Sequence, residues 1–415
     1  MLNARNARNS FAHRVKRLRC PMRHFFLYAV ILITSWFPLL AAASGFDTWR
    51  NEFRATALAA GISATTFDTA FRTVEYDPRS AAADANQAEF VRPIWEYLDG
   101  AVSASRISTG KAKALSVQDI LQQLERKYRV DGAILLAIWG METNFGSFRG
   151  NSYTVNALAN AAYNGRRRAF AETELIAALK ILTRGDVTPS RMLGSGGGAM
   201  GHTQFMPTTY LRFAIDHNRD GQANIWSDNP ADALASTANY LHELGWEKDQ
   251  PWGIEVTVPR GFDYALIGEY ETRSARFWNG SGVRTAAGAK IPNHGPTALI
   301  APAGANGPIF AIFPNFQVIR QYNMSVSYSL AVGHLSDRIN GGAAFTASWP
   351  RSDTPMTRAN QHEIQSLLQK RGFDVGPIDG MIGPKTIEAI QAFQTSQSLR
   401  ADGYATPSLL NRLRP

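Results

Sequence analysis

The 415-residue chain is almost without cysteine: its one copy, Cys20, lies ahead of the first apolar stretch. That excludes a disulfide framework and a cysteine-rich metal site, and a chain trimmed after residue 43 would hold no thiol at all. It also lacks a basic surface, although the formal net charge is +9. Seven basic residues fall between Arg5 and Arg23, and no acid occurs before residue 44; taking those seven from +9 leaves +2 for the remainder. No Lys/Arg stripe replaces them, so a nucleic-acid partner is not expected. Long hydrophobic runs are scarce as well. Phe25 to Ala43 barely reaches the roughly 20 residues that span a bilayer, and the mean hydropathy of −0.21 describes a soluble globular chain.

What the N-terminus does contain is ordered. A basic run is followed by Phe25-Phe26-Leu27-Tyr28-Ala29-Val30-Ile31-Leu32-Ile33 and then by Ala41-Ala42-Ala43. A basic stretch, a short apolar stretch and a small-residue site make a secretory signal peptide over 1–43. The alternative is a retained membrane anchor; Pro38 and the alanine cluster favour cleavage, leaving no transmembrane anchor. Cys20 precedes the apolar stretch, so it is not the lipidated cysteine of a lipoprotein.

Beyond residue 43 the length implies two or three domains. Trp49, Phe53 and Leu58, then Phe67, Phe71 and Val74, recur at helix spacing, with Gly61 as a stop between them. Ile120 to Tyr128, Leu175 to Leu182, Ala231 to Leu244 and Ser325 to Asn340 read as further helices. Ile134 to Trp139 is apolar nearly all round and predicts a buried helix. Between Gly253 and Pro314, short β-prone runs such as Ile254-Glu255-Val256-Thr257-Val258 predict a small irregular strand-bearing insert. Residues 347–358, rich in Pro, Ser and Thr, predict an exposed linker. Three short amphipathic helices follow it, around Ile364, Ile390 and Leu410.

Two stretches carry chemistry. In Ile138-Trp139-Gly140-Met141-Glu142-Thr143-Asn144-Phe145-Gly146, the residues Ile134, Ile138 and Glu142 lie four apart, so a carboxylate continues the face of a buried helix. Asn144 and Gly146 place the helix end just past it. Burial and the negative end of the helix dipole should both raise its pKa, as protonating a glycosidic oxygen requires. A structural Glu paired with a buried Arg is the alternative. The second stretch is Gly194-Ser195-Gly196-Gly197-Gly198-Ala199-Met200-Gly201-His202-Thr203-Gln204-Phe205-Met206-Pro207. It has no lysine and no G-K-[ST] ending, which argues against a phosphate cradle.

The pair of stretches resembles the lytic murein transglycosylases of the membrane-bound B type, in which E-T-x-x-G is followed by G-A-M-G-x-x-Q-F-M-P. The resemblance covers about residues 46–340. It implies a lysozyme-like α+β catalytic domain, mainly α, with Glu142 as the single general acid and base. It implies that Ser195, Gln204, Tyr240, Tyr322, Asn323 and Tyr328 line the sugar groove, with Arg166 and Arg167 near a family arginine pair. For Tyr240 core packing is the alternative, and for Asn323 a cap on the helix beginning near Ser325. The implied substrate is the glycan strand of peptidoglycan and the implied compartment is the periplasm; no cofactor is needed for the chemistry. The implied product is a 1,6-anhydro-N-acetylmuramic acid end. A hydrolytic muramidase using a second acid (Glu172, Glu174 or Asp186) and an inactive wall-binding protein are the rival readings.

Two features stand apart from that site. Asp216-His217-Asn218-Arg219-Asp220-Gly221-Gln222 has the D-x-N-x-D-G pattern of a calcium loop. Asp216, Asn218 and Asp220 would ligate by side chain and Gln222 by its carbonyl. Position twelve is Ser227, so Asp228 or Asp232 would have to supply the missing carboxylate; the alternative is a turn held by its own hydrogen bonds. At the C-terminus, Gly376-Pro377-Ile378-Asp379-Gly380 and the helix with Ala389-Ile390-Gln391-Ala392-Phe393 resemble a peptidoglycan-binding domain, with Ala401-Asp402-Gly403 as a degenerate second half. Asp379 and Asp402 are expected to hold their turns. The expected domains are 1–43 signal peptide, 44–346 catalytic, 347–358 linker and 359–415 peptidoglycan-binding.

Overall fold

The computed structural model describes residues 45–79, 92–165 and 167–415. The proposed signal segment 1–43 and Arg166 therefore lie outside the described residues. Two compact units divide after Thr56. In the first, the described residues 45–56 are helical; the Phe46 ring meets Trp49 tilted at 5.3 Å, and Trp49 stacks on Phe53 at 5.4 Å.

The second unit is mainly helical. Its helices begin with α1 (Ala64–Ala70), α2 (Ile94–Ala101), α3 (Ala104–Ser116), α4 (Gln118–Tyr128) and α5 (Gly132–Thr143). Then come α6 (Thr154–Asn164), α7 (Arg168–Arg184), α8 (Pro207–Phe213) and α9 (Ala231–Glu243). The helix α5 is the predicted buried one: Leu135, Ala137 and Ile138 have no exposed surface. An all-apolar helix needs neighbours on every side, and α3, α4, α9 and the later α12 (Val326–Ile339) supply them. Its first turn is held from α4, where Glu125 accepts the Gly132 amide at 2.6 Å. Among the described residues no helix is long and apolar enough to cross a membrane.

The insert is more regular than its sequence texture implies. Strands β3 (Gly253–Thr257), β4 (Arg284–Thr285), β5 (Ala298–Ile300) and β6 (Ile309–Ile312) form one antiparallel sheet in the order β4-β3-β6-β5. Alternation along β6 explains its place. Phe310 and Ile312 join the helical core, while Ile309 and Ala311 face a smaller core around Trp278, Val283 and Leu299. A sheet buried on both faces has continuous hydrophobic strands, which hides its period in the sequence. Short α10 (Ala275–Gly280) completes the insert, and α11 (Pro314–Tyr322) leads back to α12. The buried Arg320 of α11 is paired with buried Glu269, bolting the insert to the helices.

The C-terminal helices are α13 (Arg358–Lys370), α14 (Pro384–Ser396) and α15 (Pro407–Leu413), around a core of Ile364, Leu368, Ile390, Phe393 and Leu410. Asp379 and Asp402 do hold their turns. Asp379 Oδ1 accepts from Met381 N and from Gln365 Nε2. Asp402 Oδ1 accepts from Tyr404 N and from Gln394 Nε2 in the matching arrangement. The segment before α13 is non-helical, as expected, but it is tied down. Glu255 accepts amides from Thr346 and Ala347, and Arg351 forks onto Asp99 at 2.7 and 2.9 Å. The three-helix domain also docks on the insert: Gln391 donates to Ile267 O and Asp402 Oδ2 accepts from Ala305 N.

Candidate active site

The helix α5 stops where Asn144, Phe145 and Gly146 all take left-handed φ values (48°, 58° and 80°), so the chain turns sharply one residue after the carboxylate-bearing turn. Glu142 is half-buried at this C-terminal end. Tyr328, buried in the first turn of α12, donates its hydroxyl to Glu142 Oε1 at 2.6 Å. Burial, followed by the charge on Glu142, pushes the Tyr328 hydroxyl well above the usual phenol range, so it stays a donor.

The glycine-rich stretch is a tight hairpin beside that turn. β1 (Ser152–Tyr153) pairs with β2 (Leu193–Gly194), and bridges follow between Gly194 and Met200 and between Met200 and Phe205. Gly150, at φ 84°, permits the approach: a Cβ there would lie 2.1 Å from Gly194 O. Ser195 closes the hairpin, its amide donating to Ala199 O and its Oγ accepting from Ala199 N. Gln204 reaches back to the Glu142 segment, its Nε2 donating to Arg149 O at 3.2 Å and to Gly201 O at 2.9 Å.

The tyrosines gather on the other side. Tyr322 donates to Thr203 O at 2.6 Å, and its ring stands 5.5 Å from that of Tyr240 and 6.2 Å from Phe205. Burial and then the Glu142 charge raise the Tyr322 pKa well above the ordinary value, which places the carboxylate within electrostatic reach of both tyrosines. Tyr240 packs on Phe213 at 4.6 Å and donates its hydroxyl to Gln321 O. Asn323 Oδ1 accepts from Ser325 N, while Ser325 itself caps α12 through Tyr328 N; Asn323 thus holds the turn, and the cap is Ser325. Arg167 is exposed at the start of α7, stacked over Phe170 at 4.2 Å, and is not tied to Glu142 by any of these contacts.

The candidate second acids are engaged elsewhere. Both oxygens of buried Glu174 hold Thr208, one its amide and one its hydroxyl, which caps α8. Glu172 pairs with Arg168 and Asp186 with Arg184. Sequence reasoning missed two neighbours of Glu142 on its own helix: Thr143, whose hydroxyl donates to His202 O at 2.6 Å, and Trp139, whose indole donates to His202 Nδ1 at 3.0 Å. The available signal was a lone polar ring inside the apolar motif Ala199-Met200-Gly201-His202.

The loop at 216–224 is closed by its own amides. Asp216 accepts from Arg219, Asp220 and Gly221 N, Asn218 Oδ1 from Asp220 N, and Gln222 O from Asn224 N. Asp232 is buried against the loop, its two oxygens accepting the amides of His217 and Asn224. Among the described residues no three His, Cys, Asp or Glu side chains are placed to hold a metal. Asp216, Asn218 and Asp220 share one turn, so the fit to a cation is partial.

The chain as a whole resembles known proteins. Residues 45–337 match the transglycosylase SLT domain, and residues 357–413 match a peptidoglycan binding domain. The chain belongs to the transglycosylase SLT family. Among solved structures of the family's members, SltB3 from Pseudomonas aeruginosa in complex with NAG-anhNAM-pentapeptide superposes with a TM-score of 0.85 at 46% identity, covering 89% of this chain and 99% of that one. The Escherichia coli lytic transglycosylase Slt35 in complex with calcium gives 0.62 at 25% identity, over 70% of this chain and 92% of that one. Membrane-bound lytic murein transglycosylase B of E. coli (strain K12) is 32% identical over 230 residues, which is 54% of this chain. That alignment spans 60% of the relative's own length.

Proposed function

We propose that this chain is a lytic transglycosylase that cuts the β-1,4 bond between N-acetylmuramic acid and N-acetylglucosamine in peptidoglycan, leaving 1,6-anhydro ends. The observation that carries the reading is Glu142 alone at the end of α5, oriented by Tyr328, with the rival carboxylates spent on caps and ion pairs. Most glycosidases flank the bond with two carboxyl groups. With one, the substrate has to supply the second function. Glu142 gives its proton to the leaving oxygen while the neighbouring acetamido carbonyl stabilises the developing positive charge. Tyr328 then stabilises the new carboxylate by hydrogen bonding. Glu142 next takes the proton of the muramic acid C6 hydroxyl, whose oxygen closes on C1, and no water is consumed.

Ser195, Gln204, Tyr240, Tyr322 and Asn323 are proposed to line the sugar groove, supported by their positions on the hairpin and tyrosine cluster beside Glu142. Arg166 and Arg167 are proposed to join them, on the resemblance to the family's arginine pair. Residues 1–43 would export the chain to the periplasm as a cleavable signal, and 359–415 would hold it on the wall. A calcium ion held by Asp216, Asn218, Asp220, the Gln222 carbonyl and Asp232 would be structural, supported by the loop pattern and by the calcium-bound relative. Mass spectrometry of sacculi digested with residues 44–415 tests the reaction. Anhydro ends, one water lighter than reducing ends, are expected; reducing ends alone would make the enzyme a hydrolase.

A further inference from the structure

The helix that carries Glu142 is gripped from its side by one histidine. Trp139 and Thr143 lie four residues apart on one face of α5, and both bond to His202: the indole to ring Nδ1 and the hydroxyl to the main-chain oxygen. Glu142 stands next to that face, so this double contact fixes the helix rotation that turns its carboxyl toward Tyr328. The far side of the ring meets the segment after the 216–224 loop, with Nε2 2.7 Å from Ser227 O. His202 is only 3% exposed, and Gly146 makes room for it, since a Cβ there would lie 2.5 Å from the ring. Two residues further on, Gln204 reaches across to Arg149 O.

The partners dictate a single protonation state. An indole N–H only donates, so Nδ1 must be bare, and on a neutral ring the hydrogen then sits on Nε2, where it meets the Ser227 carbonyl at 2.7 Å in preference to Arg149 Nη1, a donor, at 3.2 Å. A second proton would set an N–H on Nδ1 against the Trp139 N–H. The charged groups around the ring are Arg149, Asp228 and Lys113. Arg149 donates to Trp226 O, Ser227 O and Asp228 Oδ1, and its Nη1 also lies 3.2 Å from His202 Nε2. Burial, aided by Arg149 and Lys113 and opposed by the Ser227 carbonyl and Asp228, holds His202 below the usual histidine range.

We propose that His202, as the neutral tautomer protonated on Nε2, is a positioning residue that sets the distance and angle between the helix bearing Glu142 and the loop bearing Gln204. The proposal rests on Glu142 being the acid. It differs from a packing role in what it forbids: a ring that merely fills space tolerates any isostere, whereas this one needs an acceptor toward Trp139 and a donor toward Ser227. His202→Asn keeps an acceptor near the Nδ1 position; His202→Gln keeps a donor near Nε2; His202→Ala keeps neither.

The test is steady-state cleavage of sacculi by the wild type and these three variants, read as kcat, KM and anhydro-end release, from neutral pH downward. Misplacement of reacting groups by about 1 Å costs on the order of a hundredfold, so that loss in kcat is expected for His202→Ala, with KM and sacculus binding within a few-fold. His202→Asn should recover part of the loss and lack an acid limb that the wild type shows as the ring protonates. Where the Ala variant fails to fold, the Asn variant decides alone. The proposal is overturned if Ala stays within about threefold of wild type in kcat, an effect far below the misplacement cost, if Asn and Gln are as inactive as Ala, or if the acid limb persists unchanged in Asn. No glycan cutting by the wild type would instead sink the underlying reading of Glu142.

Discussion

Tyr328 donates a 2.6 Å hydrogen bond to Glu142 across 186 residues of sequence, joining the last turn of α5 to the first turn of α12. A donor in that position favours the carboxylate over the acid, so it tunes Glu142 as well as aiming it. Tyr328→Phe removes the donor and keeps the ring. Hydrogen bonds to charged groups contribute about 1.5–3 kcal/mol, so kcat should fall roughly ten- to a hundredfold. The pH above which activity declines should move upward, because the acid form loses a competitor. A pH–rate profile with an unmoved alkaline limb would show that Tyr328 only packs.

The insert depends on a buried ion pair. Arg320 and Glu269 side chains are each 7% exposed. Removing one partner of a buried pair strands the other, at a cost of about 3–5 kcal/mol. Glu269→Ala should therefore lower the urea midpoint strongly, with Glu269→Gln in between. A change under about 1 kcal/mol, the scale of an exposed pair, would show that Arg320 finds water instead.

His334 sets an acid limit on stability. Its ring is buried against Phe345 at 3.7 Å, and burial, with a smaller contribution from Arg338, lowers its pKa to about 4. The unfolded chain, with an ordinary histidine, binds the proton more readily. Stability from this group is thus complete above about pH 6.5 and is lost as pH falls toward 4. A gap of that size corresponds to on the order of 3 kcal/mol. Unfolding free energies of the wild type and His334→Gln, compared between those two pH values, should diverge by a large part of that amount; parallel curves would contradict it.

Much of this was legible because the chemistry is written locally. Glu142 and its left-handed stop at Asn144 lie in one nine-residue stretch, and the hairpin from Gly194 to Phe205 declares itself by its glycines. The three C-terminal helices and the roles of Asp379 and Asp402 follow from equally local patterns. What failed to show was long-range. Nothing near Glu174 marks it as the cap of a helix 33 residues away by first residue, at Pro207. Arg351 looked like part of a free linker because its partner, Asp99, is 252 positions distant. The two loop amides that Asp232 accepts, from His217 and Asn224, were likewise not marked in the sequence. His202 gave only its polarity.

Calcium is proposed to bear on stability and not on the reaction. An ion bound at Asp216, Asn218 and Asp220 would raise the melting temperature only above its dissociation constant, by RT ln(1 + [L]/Kd). Because the loop already satisfies its carboxylates with amides, the expected shift is small, and Asp216→Asn should abolish it without changing kcat. A calcium requirement for turnover would contradict this assignment.

One carboxyl group, that of Glu142, is proposed to perform both proton transfers. Glu142→Gln keeps the size of the side chain and can still accept from Tyr328, but it neither gives the acid proton nor later takes one from the C6 hydroxyl. A general acid or base step contributes about 10²–10⁴-fold, and a residue serving both should cost at least the top of that range. The deciding measurement is anhydro-muropeptide release from sacculi by Glu142→Gln, made beside its binding to the same sacculi. Release is expected to fall by about 10⁴-fold or more, with binding retained. Release within a few-fold of the parent enzyme would contradict it and remove Glu142 as the acid.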